Sequence, residues 1–150
     1  MDDRTTYRDD GSRELRRQEC LRLLSRQVLG RIVHTRDALP AVLPVNFTLD
    51  WDGAVVLRTS AASELVRAVD GAVVAFEVDD IDGVRHSGWS VVVTGSASVV
   101  TDADERARLT RHGPRSWVLW PDEVFVRIEP ELVAGREIRG PHLGLLEAPP

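Results

Sequence analysis

Apolar residues recur along this chain in two rhythms. From Ser12 onward, Leu15, Cys20, Leu21, Leu24 and Val28 follow near-helical spacing, and Arg13, Arg16, Arg17, Arg22 and Arg26 fall largely on the opposite side. Ser12 reads as the N-cap of that helix and Gly30 as its end. The rhythm then shortens. Strands are predicted over 31–36, 41–50, 54–59, 72–78, 89–101 and 123–128, with a bend at Pro130 and an extension over 131–138. Trp51-Asp52-Gly53 marks a hairpin between the second and third strands, and Asp37-Ala38-Leu39-Pro40 the turn between the first and second. A polar loop is expected over 79–88. Short helices are predicted over 60–69 and 102–112, the latter with Asp102 and Glu105 in capping-box spacing.

Paired valines punctuate the strands: Val55-Val56, Val73-Val74, Val91-Val92-Val93 and Val99-Val100. Continuous apolar runs mean strands covered on both faces. In a small antiparallel sheet that implies closure into a barrel, with helices or a second subunit packed outside. Residues 1–11 are polar and read as a disordered arm, 12–140 as a single domain, and 141–150 as a loose proline-bearing tail.

Composition narrows the function. The net charge is −5 and the pI about 5.4, which argues against a general nucleic-acid binder. No apolar run reaches the roughly 20 residues of a membrane helix, and the N-terminus lacks a signal-peptide pattern. A single cysteine, Cys20, excludes an internal disulfide framework and fits a reducing, cytoplasmic setting. It reads as a buried, inert thiol. All nineteen basic residues are arginine, so phosphate must be held by arginine, hydroxyls or backbone N–H groups. The arginines beside the first helix form either a solvated face or an anion-binding one. His34, His86, His112 and His142 have no zinc-like spacing and read as surface or strand-end residues, so no metal site is expected. There is no GxSxG, P-loop or GxGxxG pattern.

One constellation stands out. Pro44-Val45-Asn46 lies within a strand, and one hairpin later Arg58-Thr59 ends a strand and leads through Ser60-Ala61-Ala62-Ser63 into a short helix. Arginine and hydroxyls so gathered suit a phosphate; a serine-rich helix cap is the structural alternative. Ser87-Gly88-Trp89-Ser90 opens the long fifth strand. The ordered series Gly30-Arg31-Ile32-Val33, Pro44-Val45-Asn46-Phe47, Arg58-Thr59, Ala75-Phe76-Glu77-Val78-Asp79-Asp80, Gly88-Trp89-Ser90-Val91, Val93-Thr94-Gly95 and Val126-Arg127-Ile128-Glu129-Pro130-Glu131 resembles the pyridoxamine 5'-phosphate oxidase-like flavoproteins, in the small actinobacterial branch, over about residues 15 to 138.

The resemblance implies a mainly β (α+β) fold: a six-stranded antiparallel Greek-key split barrel flanked by short helices. It implies a homodimer with FMN bound at the interface, or in some relatives the deazaflavin F420. By the same resemblance Arg58, Thr59 and Ser63 hold the phosphate. Val45 and Asn46 lie beside the flavin ring, Trp89 and Ser90 flank the cleft, and Trp117 is an aromatic contributed from a partner subunit or ordinary packing. Relatives commonly carry lysine where this chain has Glu64, between Ser63 and Leu65. A carboxylate there repels a phosphate dianion. Three functions are therefore expected: an FMN- or F420-dependent oxidoreductase on a small molecule, a flavin-binding protein without turnover, or a degenerate homodimer that has lost its cofactor. If Glu64 faces the phosphate, Glu64→Lys should tighten FMN by about an order of magnitude at low salt and less at high salt, as read by fluorescence titration. Unchanged FMN affinity would place the phosphate elsewhere.

Overall fold

The structure, a computed structural model, describes residues 7–140. Eight strands and three helices follow in the order β1 (Ser12–Leu15), α1 (Arg17–Leu24), β2 (Leu29–Arg36), β3 (Leu39–Leu49), β4 (Val55–Ser60), α2 (Glu64–Val69), β5 (Val73–Asp82), β6 (Ser87–Val99), α3 (Ala103–His112), β7 (Glu123–Ile128) and β8 (Leu132–Ile138). Every pairing is antiparallel, and the sheet runs β1-β8-β6-β5-β2-β3-β4-β7 with β7 returning to β6. β2 to β7 thus close a six-stranded barrel, while β8 and β1 form a wing on its side.

β6 makes this possible by changing partners along its length. Residues Gly88–Thr94 pair with β8, and Ala97–Val99 pair with β7. At the junction, a Cβ on Gly95 would lie 1.8 Å from the carbonyl oxygen of Glu129, so only glycine fits. The chain crosses there from β7 to β8, which explains why 131–138 is a separate strand on β6 and not a continuation of β7.

The core is the barrel interior. Ile32, Val55, Leu57, Phe76, Val78, Val91, Val93, Val126 and Ile128 are all essentially buried, and the Phe47 and Phe76 rings meet edge to face at 4.9 Å. A second cluster outside the wall, Val56, Val100, Leu109 and Phe125, is covered by α3. Val55, Val56 and Leu57 are consecutively buried because β4 faces the core on one side and α3 on the other. α3 starts where Asp102 accepts from the Glu105 N–H at 2.9 Å. It is tied to the barrel by Arg108, whose two nitrogens donate to Asp50 at 2.7 and 2.8 Å. Arg127 of β7 also donates to Asp50, at 2.8 Å, and pairs with Asp52. Arg108 first, against an opposing burial cost, holds the Asp50 carboxyl below its ordinary range.

Several expectations are corrected. Residues 12–15 form β1, not the first turn of a helix, because β8 offers them a free edge. α1 starts at Arg17, with Glu19 accepting from the Arg16 N–H at 3.1 Å, and ends by Ser25, well before Gly30. Gly30 lies inside β2, where a Cβ would come within 2.4 Å of the Phe76 ring, so its role is to admit that ring into the core. Cys20 is fully buried, with burial raising its thiol pKa, and it packs against Gly135 of β8. The polar loop over 79–88 is shorter than expected: β5 runs on to Asp82 and turns through a tight hairpin into β6 at Ser87. Within the stretch read as an arm, Arg8–Gly11 form a turn and Tyr7 donates to Glu137 at 2.6 Å, so residues 7–11 are held to the wing. Residues 1–6 and the tail over 141–150 lie outside the described residues.

The β2–β3 turn carries Asp37 and Ala38 at φ of 50° and 63°. This two-residue turn needs positive φ at both positions, and for alanine that conformation costs about 1 kcal/mol. Ala38→Gly should therefore raise stability by about 0.5–1 kcal/mol in urea unfolding. Gly95→Ala should lower it by about 2–3 kcal/mol or prevent folding, since backbone must move to admit the methyl.

Candidate functional site

β3 and β4 pair only at Phe47–Leu57, Thr48–Val56 and Leu49–Val55. Beyond those pairs the strands part. β3 continues back to Leu39 on β2 alone, and β4 continues to Ser60 on β7 alone. A cavity of about 710 Å³ occupies the split, with Leu29, His34 and Arg36 from β2, Val42 to Asn46 from β3, Leu57, Arg58 and Thr59 from β4, and Ser63, Glu64 and Leu65 around the start of α2. A strap over 114–122 crosses it, contributing Ser116, Trp117, Val118 and Trp120. That size is in the ordinary range for a small-molecule or cofactor site.

The strap is fastened by hydrogen bonds from the split itself. The Asn46 side chain donates to the Arg115 carbonyl at 2.6 Å. Arg58 Nη1 donates to the Pro114 carbonyl at 3.4 Å. Ser60 donates to the Asp122 carboxylate at 2.8 Å, and the Ala61 N–H to the Asp122 carbonyl at 2.8 Å. Asn46 thus commits one of its two amide N–H groups to the strap.

Strand alternation separates two residues that adjoin in sequence. Thr59 follows Val55 and Leu57 on the inward face of β4. Arg58 follows Val56 outward, where its guanidinium lies over the Phe125 ring at 5.3 Å and donates through Nε to Glu123 at 2.6 Å. Burial raises the Glu123 pKa, but Arg58, Ser116 and the Trp120 backbone outweigh it and hold the carboxyl below its ordinary value. Arg58 reaches the cavity rim already paired. Glu64 pairs with Arg36, not with Arg58 or Arg67. The Ser63 hydroxyl accepts from the Val66 N–H at 3.2 Å as the helix cap. The charges around the cavity are therefore two arginines, each matched to a carboxylate, and the lining between them is largely apolar.

Val45, Asn46, Arg58, Thr59, Ser63, Glu64 and Trp117 come together at this cavity, and Trp117 does so from the same chain. Trp89 and Ser90 do not. Trp89 shares the inward parity of Val91 and Val93 and packs against the barrel core. Ser90 faces the other way, into a separate cleft of about 340 Å³ beside Arg13 and Arg136 on the wing. Among the described residues, no group of His, Cys, Asp and Glu is placed to hold a metal ion.

Two residues at the cavity were not expected there. Arg36 ends β2 and sits across from Glu64. His34 is 8% exposed, not a surface residue, because it continues the inward stripe of Gly30 and Ile32 on β2. Among the described residues its Nδ1 has no hydrogen-bond partner. Burial, with a further push from Arg36 and against an opposing contact with the Ile32 backbone, lowers its pKa below the ordinary 6.5. The signal was period two: once Ile32 points inward, His34 must follow.

A sequence profile of the pyridoxamine 5'-phosphate oxidase family matches residues 16–137. An uncharacterized protein of Mycobacterium tuberculosis is 46% identical over 130 residues, which span 83% of this chain and 84% of that one. Among solved structures, the FAD binding protein from Mycobacterium smegmatis is 35% identical and superposes with a TM-score of 0.76, covering 85% of this chain and 99% of that one. A conserved protein of unknown function from Corynebacterium diphtheriae is 34% identical, with a TM-score of 0.73 over 86% of this chain and 99% of that one.

The lowered His34 pKa carries a sign. The native state disfavours the imidazolium, so its contribution to stability is whole above 6.5 and is lost as pH falls through 6.5 toward the lower native value. Melting temperature should fall between pH 7 and pH 5, and His34→Phe should flatten that segment of the profile. An equal slope in the variant would assign the effect to another group.

Proposed function

This chain belongs to the pyridoxamine 5'-phosphate oxidase family, and on that premise we propose that it binds a flavin in the split between β3 and β4 and serves as an oxidoreductase for a small molecule. The observation that carries the reading is the cavity: a slot of about 710 Å³ between aliphatic strand residues and the strap's Trp117 and Trp120 suits a flat, largely apolar ring system. When bound, a flavin supplies the hydride chemistry, and the protein supplies binding, orientation and electrostatics. Val45, Leu57 and Leu65 would bear on the ring, the strap would keep water from it, and Thr59 and Ser63 would offer hydroxyls to the ribityl–phosphate end.

The charge pattern bears on which flavin. FMN ends in a phosphate monoester that approaches a dianion, and here each nearby arginine already has a carboxylate, Arg36 with Glu64 and Arg58 with Glu123. FAD spreads its two charges over the two phosphates of a pyrophosphate, and F420 carries one on a phosphodiester, so neither brings a dianion on a single phosphorus to the site. The similar Mycobacterium smegmatis protein is an FAD binding protein. We therefore favour FAD over FMN as the physiological ligand, with F420 as the competing one.

We also propose a homodimer. Leu29 of β2 and Val42 of β3 lie on one face of that strand pair and are 45% and 60% exposed, and Leu119 of the strap is 94% exposed. Together they leave an apolar face beside the cavity that a second copy would cover.

The purified protein should carry, or take up, a yellow chromophore with oxidised-flavin absorption, and acid release should identify it by mass. A colourless protein that binds none of riboflavin, FMN, FAD or F420 would overturn the reading. Sedimentation should give about twice the 16.7 kDa chain mass, and Val42→Asp should shift the protein toward monomer; a monomeric parent would overturn the dimer.

A further inference from the structure

The buried part of the barrel's inward stripe on β2, from Gly30 to His34, is apolar except at one place. Gly30 admits Phe76, Ile32 is fully buried, and the next inward position is His34. A valine or leucine there would complete the core with no polar group to satisfy. The chain instead places an imidazole 8% exposed, with Nδ1 closed off and unpartnered among the described residues. Buried polar groups without partners are destabilising and uncommon in native proteins.

The charged groups around this end of the cavity do not supply the missing partner. Arg36 on β2 pairs with Glu64 on α2, and Arg58 on β4 pairs with Glu123 on β7. Thr59 on β4 and Leu65 on α2 line the same cavity. His34 itself lines the cavity, so a bound ligand can reach its imidazole.

Resting on the flavin reading above, we propose that His34 is the hydrogen-bonding contact that fixes how the planar ligand lies in the split. It takes the polar, heteroatom-bearing edge of the ring system and leaves the hydrocarbon edge to Trp117, Trp120 and Val42. The ligand class is a fused heteroaromatic with adjacent carbonyl and N–H groups on one edge, as in the pyrimidine-dione edge of a flavin. Burial and Arg36 both favour the neutral imidazole, so the nitrogen that meets the ligand donates in one tautomer and accepts in the other, and can match either kind of atom on that edge.

The test uses riboflavin, which has the ring without phosphate, in fluorescence titrations of the parent protein, His34→Phe and His34→Gln. Phenylalanine keeps the bulk and removes both nitrogens; glutamine keeps a donor and an acceptor. His34→Phe should weaken riboflavin about three- to tenfold, the worth of one hydrogen bond, and His34→Gln should recover most of the loss. In the parent protein the His34 ring nitrogen resonances should move when riboflavin is added, a readout that needs neither variant to fold nor any turnover. Unmoved resonances, or His34→Phe binding riboflavin as tightly as the parent, overturn this proposal while leaving the flavin reading intact. Failure of the parent to bind riboflavin, FMN, FAD or F420 overturns both.

Discussion

Two strands compete for one edge of β6, and the rest of the fold depends on where the first gives way to the second. Up to Thr94 the edge belongs to β8; from Ala97 it belongs to β7. Gly95 lets the β7–β8 crossing press against β6 at that boundary. Were the exchange one residue earlier or later, the side-chain alternation of β7 would invert, and Val126 and Ile128 would leave the core. Closure at this point converts an eight-stranded ribbon into a barrel with a shared interior. It also fixes β4 against β7, and so fixes the side of the split that β4 lines.

The split is the complementary event on the opposite wall. Three residue pairs join β3 to β4, enough to carry Phe47 and Leu57 into the core, and then the strands diverge. An opening in a barrel wall exposes unpaired backbone and apolar side chains together. Here the strap over 114–122 meets part of that need, through Asn46, Arg58, Ser60 and Ala61. Arginine does much of the fastening elsewhere: Arg127 and Arg108 converge on Asp50, whose side chain is 6% exposed, and Arg13 bridges Glu19 and Glu137 on the wing. A chain without lysine must use the planar guanidinium for every such task, and that group can serve two carboxylates at once. The consequence at the cavity is that its cations come already paired.

The barrel was legible because doubled valines on β4, β5 and β6 mark strands, although burial on both faces holds only for β4: Val73 is 66% and Val92 36% exposed. The cluster around Val45, Asn46, Arg58, Thr59, Ser63, Glu64 and Trp117 was legible because its order along the chain is distinctive, and the structure gathers those residues at one cavity. What escaped sequence reading has physical causes. Leu15 fits a helical stripe as well as a strand, and only the free edge of β8 decides between them. Gly30 looks like a helix end unless the Phe76 ring across the sheet is known. Trp89 and Ser90 adjoin the right motif, but alternation sends one into the core and the other to the wing. Arg36–Glu64 and Arg58–Glu123 join residues 28 and 65 positions apart, and no local pattern announces such pairs. His34 follows from sequence as well, since the alternation of β2 already points it inward.

The opening in the wall has a further consequence, for encounters between chains. From Leu39 to Asn46, β3 has a partner on one side only, and a bare strand edge is a template for another molecule's backbone. Two prolines, Pro40 and Pro44, stand on that stretch at the same parity. Neither has an N–H to donate, so an incoming strand would find its ladder interrupted at every fourth residue. The segment is apolar enough to invite cross-β stacking, and its own covalent structure makes that stacking discontinuous. Those two gaps make the open wall a poorer template for another strand than its apolar sequence alone would.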